Sequence, residues 1–218
     1  MKKNYISNSE ESIRMFKNGF MENLSKVHFA VPLFIFLPAI AIFIYKAIAG
    51  GISLLNFGLY FAIGIAVWTA TEYLMHRFIF HFHPTTEWGK KLSFIMHGVH
   101  HDYPRDKKRL VLPPSVSLPL STGFYFLFAS FLKTPLLYAF FPAFLIGYLI
   151  YDMLHYAMHH YNFKSGLMKK VKQHHMLHHY QNPEKGYGVS TSLWDIILRS
   201  GFDEKQPKTV NEKLQPQD

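Results

Sequence analysis

The sequence predicts an all-α integral membrane protein with four transmembrane helices arranged as two hairpins. Two observations carry this. The mean hydropathy of the 218-residue chain is near zero, yet apolar residues are segregated into long charge-free stretches. Lysine and arginine concentrate in the polar segments between those stretches. Aromatic residues make up 17%, with 21 Phe and 13 Tyr, a level that suits a lipid-facing chain.

The stretches are 29–45, 47–71, 110–132 and 134–151. A bilayer core about 30 Å thick takes about 20 helical residues, and each stretch reaches the usual range. Gly50-Gly51 divides the first pair and Lys133-Thr134-Pro135 the second; glycine and proline at these points favour tight turns. Of the 23 basic residues, five precede the first span, one lies in each short turn, seven separate spans two and three, and nine follow span four. Positive charge stays on the cytoplasmic side, so both termini and the central loop are expected there. The net charge of +9 is read as orientation and contact with anionic headgroups, with no nucleic acid as partner.

Residues 1–28 are expected to form an uncleaved cytoplasmic segment. They are too long and too acidic for a secretory signal and suit an amphipathic helix lying on the bilayer. Residues 29–202 form the membrane domain. Residues 203–218 are polar without apolar periodicity and are expected to be disordered.

The chain has no cysteine, which excludes disulfides, thiolate catalysis and CxxC zinc sites. It has 14 histidines. His28 stands alone at the first span and is assigned no role. The other thirteen form four clusters: His76, His81 and His83; His97, His100 and His101; His155, His159 and His160; and His174, His175, His178 and His179. All four fall on the expected cytoplasmic side.

Residues three or four apart share a helix face. His97, His100 and His101 are therefore expected to converge on one point, as are His175, His178 and His179, and the pair His155 and His159. His76 and His81 are five apart, so the helix should loosen between them near Phe78. These ten residues supply five ligands for each of two metals. His83, His160 and His174 are left as outer or inert members.

Imidazole suits iron, copper, zinc and nickel, and ten ligands exceed what a structural zinc takes. Neutral imidazoles cancel no charge, so carboxylates are expected to accept the second ring N–H of the ligands. The candidates are Asp152, which shares a face with His155 and His159, together with Glu72, Asp102 and Asp195. Tyr151, Tyr156, Phe80, Phe94 and Trp194 are candidates for lining an acyl groove or for interface anchoring.

HRFIFH, HGVHHDYP with RLVLPP, YDMLHYAMHH, and HHMLHHY with GYGVSTSLWD together resemble the fatty acid hydroxylase superfamily of membrane di-metal oxygenases. The fatty acid 2-hydroxylase branch is most similar. The resemblance spans about Glu72 to Asp195 and implies a four-helix membrane core under a cytoplasmic helical cap. It implies two iron ions held by the ten histidines chosen above, with zinc as a metal acquired during isolation. The implied reaction is O2-dependent hydroxylation of a fatty acyl or sphingolipid chain at carbon 2, with a membrane lipid as substrate.

The fungal and animal 2-hydroxylases of that family usually carry a heme-binding cytochrome domain in front. No HPGG heme motif occurs here, so a separate electron-transfer protein is the expected partner. The ending KLQPQD lacks a retrieval signal, which favours a bacterial inner membrane. Sterol or carotenoid desaturases and hydroxylases of the same superfamily are the nearer alternative. A membrane metal transporter is the more distant one, disfavoured because transporters place their ligands near the bilayer midplane.

Overall fold

A computed structural model describes residues 6–202, and the expected disordered tail, 203–218, lies outside the described residues. Among the described residues the chain is all-helical with no strand. The helices are α1 (Gly19–Leu24), α2 (Val31–Ala49), α3 (Leu54–Leu74), α4 (Glu87–Ser93), α5 (Val99–Asp102), α6 (Pro114–Ala129), α7 (Leu136–His160), α8 (Gly166–Tyr180) and α9 (Leu193–Ile197). Two π-helical turns are inserted. Met75–Phe80 continues α3, and Phe94–Gly98 joins α4 to α5.

Among the described residues, three helices are long and apolar enough to cross a membrane: Val31–Ala49, the continuous helix Leu54–Phe80, and Leu136–His160. Their outward faces carry exposed large apolar residues, among them Phe34 at 80% and Leu54 at 86%. Water would penalise such surfaces and lipid accepts them.

The boundaries differ from those expected. Ala47 belongs to the first helix, which runs on to Ala49 and stops at Gly50, and Gly51 adopts the positive φ that favours glycine. The fourth stretch continues past Tyr151 to His160, carrying its histidines on the same helix.

The third stretch is shorter than expected. Its helix, α6, has 16 residues from Pro114, which at 1.5 Å per residue reaches about 24 Å. Residues 110–113 are not helical. Pro113-Pro114 disfavours helical geometry before it and leaves these residues free to line the site.

Helix α7 is the central element. It packs against α2, α3 and α6, and its Phe140, Phe141, Phe144, Leu145, Tyr148 and Leu149 form a core with Phe36, Ile40, Trp68 and Phe128. Close approach of α3 to α7 depends on glycine. A Cβ on Gly64 would lie 2.3 Å from the Phe140 carbonyl oxygen, and one on Gly147 would lie 2.4 Å from the Trp68 ring. Small residues at such crossings let backbones approach in a membrane, where no hydrophobic force drives helices together.

Among the described residues of the N-terminal segment, 6–28, the expected amphipathic helix is reduced to the six residues of α1. The residues before α1 cross the loop at 102–109. Ser7 N–H donates to the Asp102 carbonyl, Ser12 bonds to Asp106, and Glu10 pairs with Arg105 at 3.1 Å and Lys107 at 2.6 Å. Glu22, buried at 7% exposure, accepts from the N–H groups of Met15 and Phe16 and pairs with Lys26 and Arg109. Burial pushes its pKa up, but hydrogen bonding to Lys26, the two backbone donors and the Arg109 charge outweigh this and hold it at about 2.

Two outcomes follow from these contacts. Gly64→Ala should lower stability by about 1–3 kcal/mol through overpacking. Gly58→Ala, where a Cβ meets nothing within 4 Å, should not; thermal unfolding in detergent separates the two. Because the Glu22 pKa is depressed from 4.5 to about 2, its contribution is complete above pH 4.5 and is lost as pH falls toward 2. Hydrogen exchange at Met15 and Phe16 should rise over that window in the wild type and be already high in Glu22→Gln.

Candidate metal centre

The spacing of His76 and His81 is answered by the first π-helical turn. The His81 N–H donates to the His76 carbonyl at 3.1 Å. Residues five apart then share a face, as an i→i+5 helix dictates. The helix loosens at the place expected, around Phe78, and both rings face one point.

The ten histidines form two groups of five, with the ligand atoms of each group within 4.8 Å of one another. The first group is His76, His81, His97, His101 and His178. The second is His100, His155, His159, His175 and His179. The number per group matches the expectation, but neither triplet converges on one point. His97 and His101, one turn apart, stay together, while His100 turns to the second group. His175 and His179 likewise stay together and His178 departs. Consecutive residues on an α-helix point about 100° apart, so each of these helical turns serves both groups.

In the first group His76 Nε2 lies 3.0 Å from His97 Nε2, and His178 Nε2 lies 3.1 Å from His81 and 3.2 Å from His101. In the second, His155 Nε2 is 2.8 Å from His100 and His159 Nε2 is 2.9 Å from His175.

The opposite ring nitrogens set the tautomers. His76 Nδ1–H donates to the Tyr187 carbonyl at 2.5 Å, His155 Nδ1–H to Leu110 at 3.1 Å, and His178 Nδ1–H to Lys185 at 2.8 Å. A carbonyl only accepts, so these three rings carry their proton on Nδ1 and turn bare Nε2 lone pairs inward. Such an arrangement fits a cation.

Burial, reinforced by neighbouring imidazoles, pushes the pKa of His97, His100, His101, His175, His178 and His179 well below the usual value. Burial brings that of His81 down to about 3. The rings are therefore neutral, the form that ligates metal.

The carboxylates act differently from expectation. Among the described hydrogen bonds, none of the four accepts an N–H from the ten. Glu72 accepts from the N–H groups of Val189 and Ser190 at 2.8 and 2.7 Å and from the Ser190 hydroxyl. Asp195 accepts from Tyr187 N–H at 3.0 Å, Gly188 N–H at 2.8 Å, the Ser200 hydroxyl and His174 Nε2. Together they hold the loop whose Tyr187 carbonyl orients His76. Asp152 accepts from Leu112 N–H at 3.4 Å, on the segment whose Leu110 carbonyl orients His155. Asp102 is half-buried and its backbone carbonyl receives Ser7.

The remaining histidines lie outside both groups. His83 pairs with Glu184 on the surface, His160 packs against Tyr156, and His174 meets Asp195.

One cavity of about 350 Å³ reaches both groups. His97 of the first and His100 and His155 of the second line it, with Asp152, Arg109, Phe80 and Tyr151. Of the proposed groove aromatics, Phe80 and Tyr151 take part. Trp194 instead donates to the Thr69 hydroxyl at 3.1 Å, Tyr156 stacks on Phe29, and Phe94 lies off the cavity wall.

Met15, Phe16, Met21 and Leu24 complete the wall. Neither they nor the orienting carbonyls of Leu110, Lys185 and Tyr187 were legible in sequence spacing. Only the glycines flanking Tyr187 hinted at a tight loop: Gly186 has positive φ, and a Cβ on Gly188 would lie 2.0 Å from the Thr191 carbonyl oxygen.

A family model described as fatty acid hydroxylase matches residues 61–200. The chain belongs to the fatty acid hydroxylase family. It is 35% identical to a dihydroceramide fatty acyl 2-hydroxylase of Arabidopsis thaliana over 92% of this chain and 84% of that one. It is 36% identical to a ceramide very long chain fatty acid hydroxylase of Saccharomyces cerevisiae over 83% of this chain and 47% of the other. It is 37% identical to a fatty acid 2-hydroxylase of Rattus norvegicus over 68% and 41%, respectively. The solved structure of full-length Scs7p, in which only the hydroxylase domain is visible, superposes with a TM-score of 0.82 at 35% identity over 88% of this chain and 73% of that one. As a family member the chain is a membrane-bound oxidoreductase of fatty acyl groups. The transporter reading finds no support in these matches, and the bacterial inner membrane finds none among relatives from eukaryotes.

Loss of ligands should divide by group. Metal analysis of purified His101→Ala and His179→Ala should each show about one metal fewer per chain, whereas His83→Ala should keep the wild-type content.

Proposed function

We propose that this chain hydroxylates carbon 2 of a lipid-borne acyl chain, using O2 and two electrons from a separate donor protein. The observation that carries this reading is a largely apolar cavity bordered by imidazoles of both groups. The names of the relatives support it: they are described as fatty acyl 2-hydroxylases and ceramide hydroxylases. No observation favours sterol or carotenoid chemistry over it.

The donor set fits two metal ions, one per group, with neutral inward-facing nitrogens and no thiolate. Iron bound there would supply O2 activation and hydrogen abstraction, the chemistry that imidazole-rich non-heme sites support. The overall balance is one C–H bond, one O2, two electrons and two protons giving one C–OH and one water.

The chain's own residues supply the rest. Phe80, Leu112 and Tyr151 hold an alkyl chain against the centre. The Leu110, Lys185 and Tyr187 carbonyls fix ring orientation, which raises ligand basicity. Met15 and Phe16 line the cavity on its N-terminal side and shield that side from water, which suppresses wasteful reduction of O2.

We place this centre on the cytoplasmic side, from the distribution of lysine and arginine along the chain. In that reading α6 with its flanks makes a fourth, shorter crossing, and α4, α5, α8 and α9 form the cap over the metals.

Deleting the gene in its host should abolish 2-hydroxylated acyl groups in lipid extracts, and His100→Ala should fail to restore them. An unchanged lipid profile in the deletion strain rejects the proposal. Anaerobically purified protein should contain about two iron per chain; zinc in their place marks exchange during isolation.

A further inference from the structure

The helix Leu54–Phe80 carries two charged side chains, Glu72 and Arg77. Charge on a segment apolar enough to cross a membrane is costly and is kept where it has a task. Glu72 holds the N–H groups of Val189 and Ser190. Arg77 stands inside the π-helical turn, next to His76, and is half-buried. Its Nη1–H donates to the Tyr73 hydroxyl at 2.6 Å, and its guanidinium lies over the Tyr187 ring, 5.6 Å from the centroid.

A chain of hydrogen bonds runs on from Tyr73. Its hydroxyl is 2.7 Å from that of Ser200, and Ser200 donates to Asp195 Oδ1 at 2.7 Å. The same oxygen accepts the Tyr187 N–H at 3.0 Å, and the Tyr187 carbonyl accepts the His76 Nδ1–H. Each proton has one place to go. An ionised carboxylate only accepts, so the Ser200 proton goes to Asp195 and Tyr73 donates to Ser200, which leaves the Tyr73 oxygen to accept from Arg77. The circuit starts beside His76 in sequence and ends on the His76 ring.

Two further observations bear on it. Arg199 adopts φ 54°, a left-handed conformation that residues other than glycine rarely take. In that turn the Ser200 N–H donates to the Asp195 carbonyl and the Ser200 carbonyl accepts from Gly186, which sets the hydroxyl between Tyr73 and Asp195. The Tyr187 ring, under Arg77, lies 5.9, 5.5 and 5.7 Å from the rings of His76, His81 and His178, all members of the first group.

We infer that Arg77 and Tyr73 are positioning residues for the first histidine group: through Ser200, Asp195 and Tyr187 they fix the His76 ring and hold the Tyr187 ring against His81 and His178. The inference rests on the reading of the two groups as metal sites. His155 of the second group is oriented by the Leu110 carbonyl, on a separate segment, so the two groups should respond separately.

The test uses the full chain in detergent, stripped of metal and titrated with Co2+ against a competing chelator, in two backgrounds. His179→Ala leaves the first group whole, and His101→Ala the second. Loss of a partner behind a metal ligand costs about 10–100-fold in affinity, and Arg77→Gln and Tyr73→Phe should each reach the lower end, about tenfold, in the His179→Ala background. Neither should change Co2+ affinity in the His101→Ala background. Tyr73→Phe combined with Ser200→Ala should lose no more than either alone, because both break one chain.

Helices α5 and α8 each give rings to both groups, so a general loosening of the fold would weaken Co2+ in both backgrounds alike. That result overturns the inference. Unchanged affinity of Tyr73→Phe in the His179→Ala background also overturns it, as do losses that add in the double variant. Should Arg77→Gln fail to fold, Tyr73→Phe decides, since it keeps the ring that packs edge-on against Tyr187 at 6.1 Å. If neither background binds Co2+ before any further substitution, the metal reading itself is rejected and the inference falls with it.

Discussion

Ten imidazoles gathered into two groups of five, each with its ring nitrogens within 4.8 Å of one another, are the constraint around which this fold is built. Bare ring nitrogens about 3 Å apart repel one another until a cation sits among them, so the scaffold must resist their separation. It does so by taking these rings from elements that are rigid for independent reasons. Helix α7 is buried along most of its length and supplies His155 and His159. Helix α3 is locked to α7 by the close approach at Gly64 and Gly147, and its π-helical extension supplies His76 and His81.

The acidic residues complete this scaffold indirectly. Glu72, Asp152 and Asp195 are buried, and each spends its carboxylate on backbone N–H groups of non-helical segments. Those segments present the carbonyls that orient His76 and His155. A carbonyl and a carboxylate both accept the ring proton, but the carbonyl is placed by the path of the chain. The loop at 186–190 thus becomes part of the centre without contributing a ligand.

The N-terminal segment joins the same unit through charge. Glu22, Arg109 and Asp106 form a buried cluster, balanced by the partly exposed Lys26, that holds Met15 and Phe16 at the cavity wall. Such a cluster is stabilising only while every member is paired, since an orphaned buried charge is far more costly than the pair is favourable. The strap, the loop at 102–109 and the cavity wall are therefore energetically coupled, and the piece of chain that precedes the first membrane helix forms one wall of the site.

Much of this was legible in the sequence. Three of the four charge-free stretches marked helices long and apolar enough to cross a membrane, because burying charge in lipid is costly. Histidine spacing picked out the ten convergent rings and left His83, His160 and His174 outside, and the five-residue interval of His76 and His81 marked where the helix had to loosen. These are local properties, set by residue type and helical period. Partition of the rings was not local: His100 and His101 are neighbours in sequence, and only the positions of α7 and α8 decide that one faces each group. The short α6, the backbone orienting contacts and the cavity with Arg109 at its wall are likewise products of tertiary packing. Each depends on segments far apart in the chain meeting at one place, a relation that no spacing along a single segment encodes.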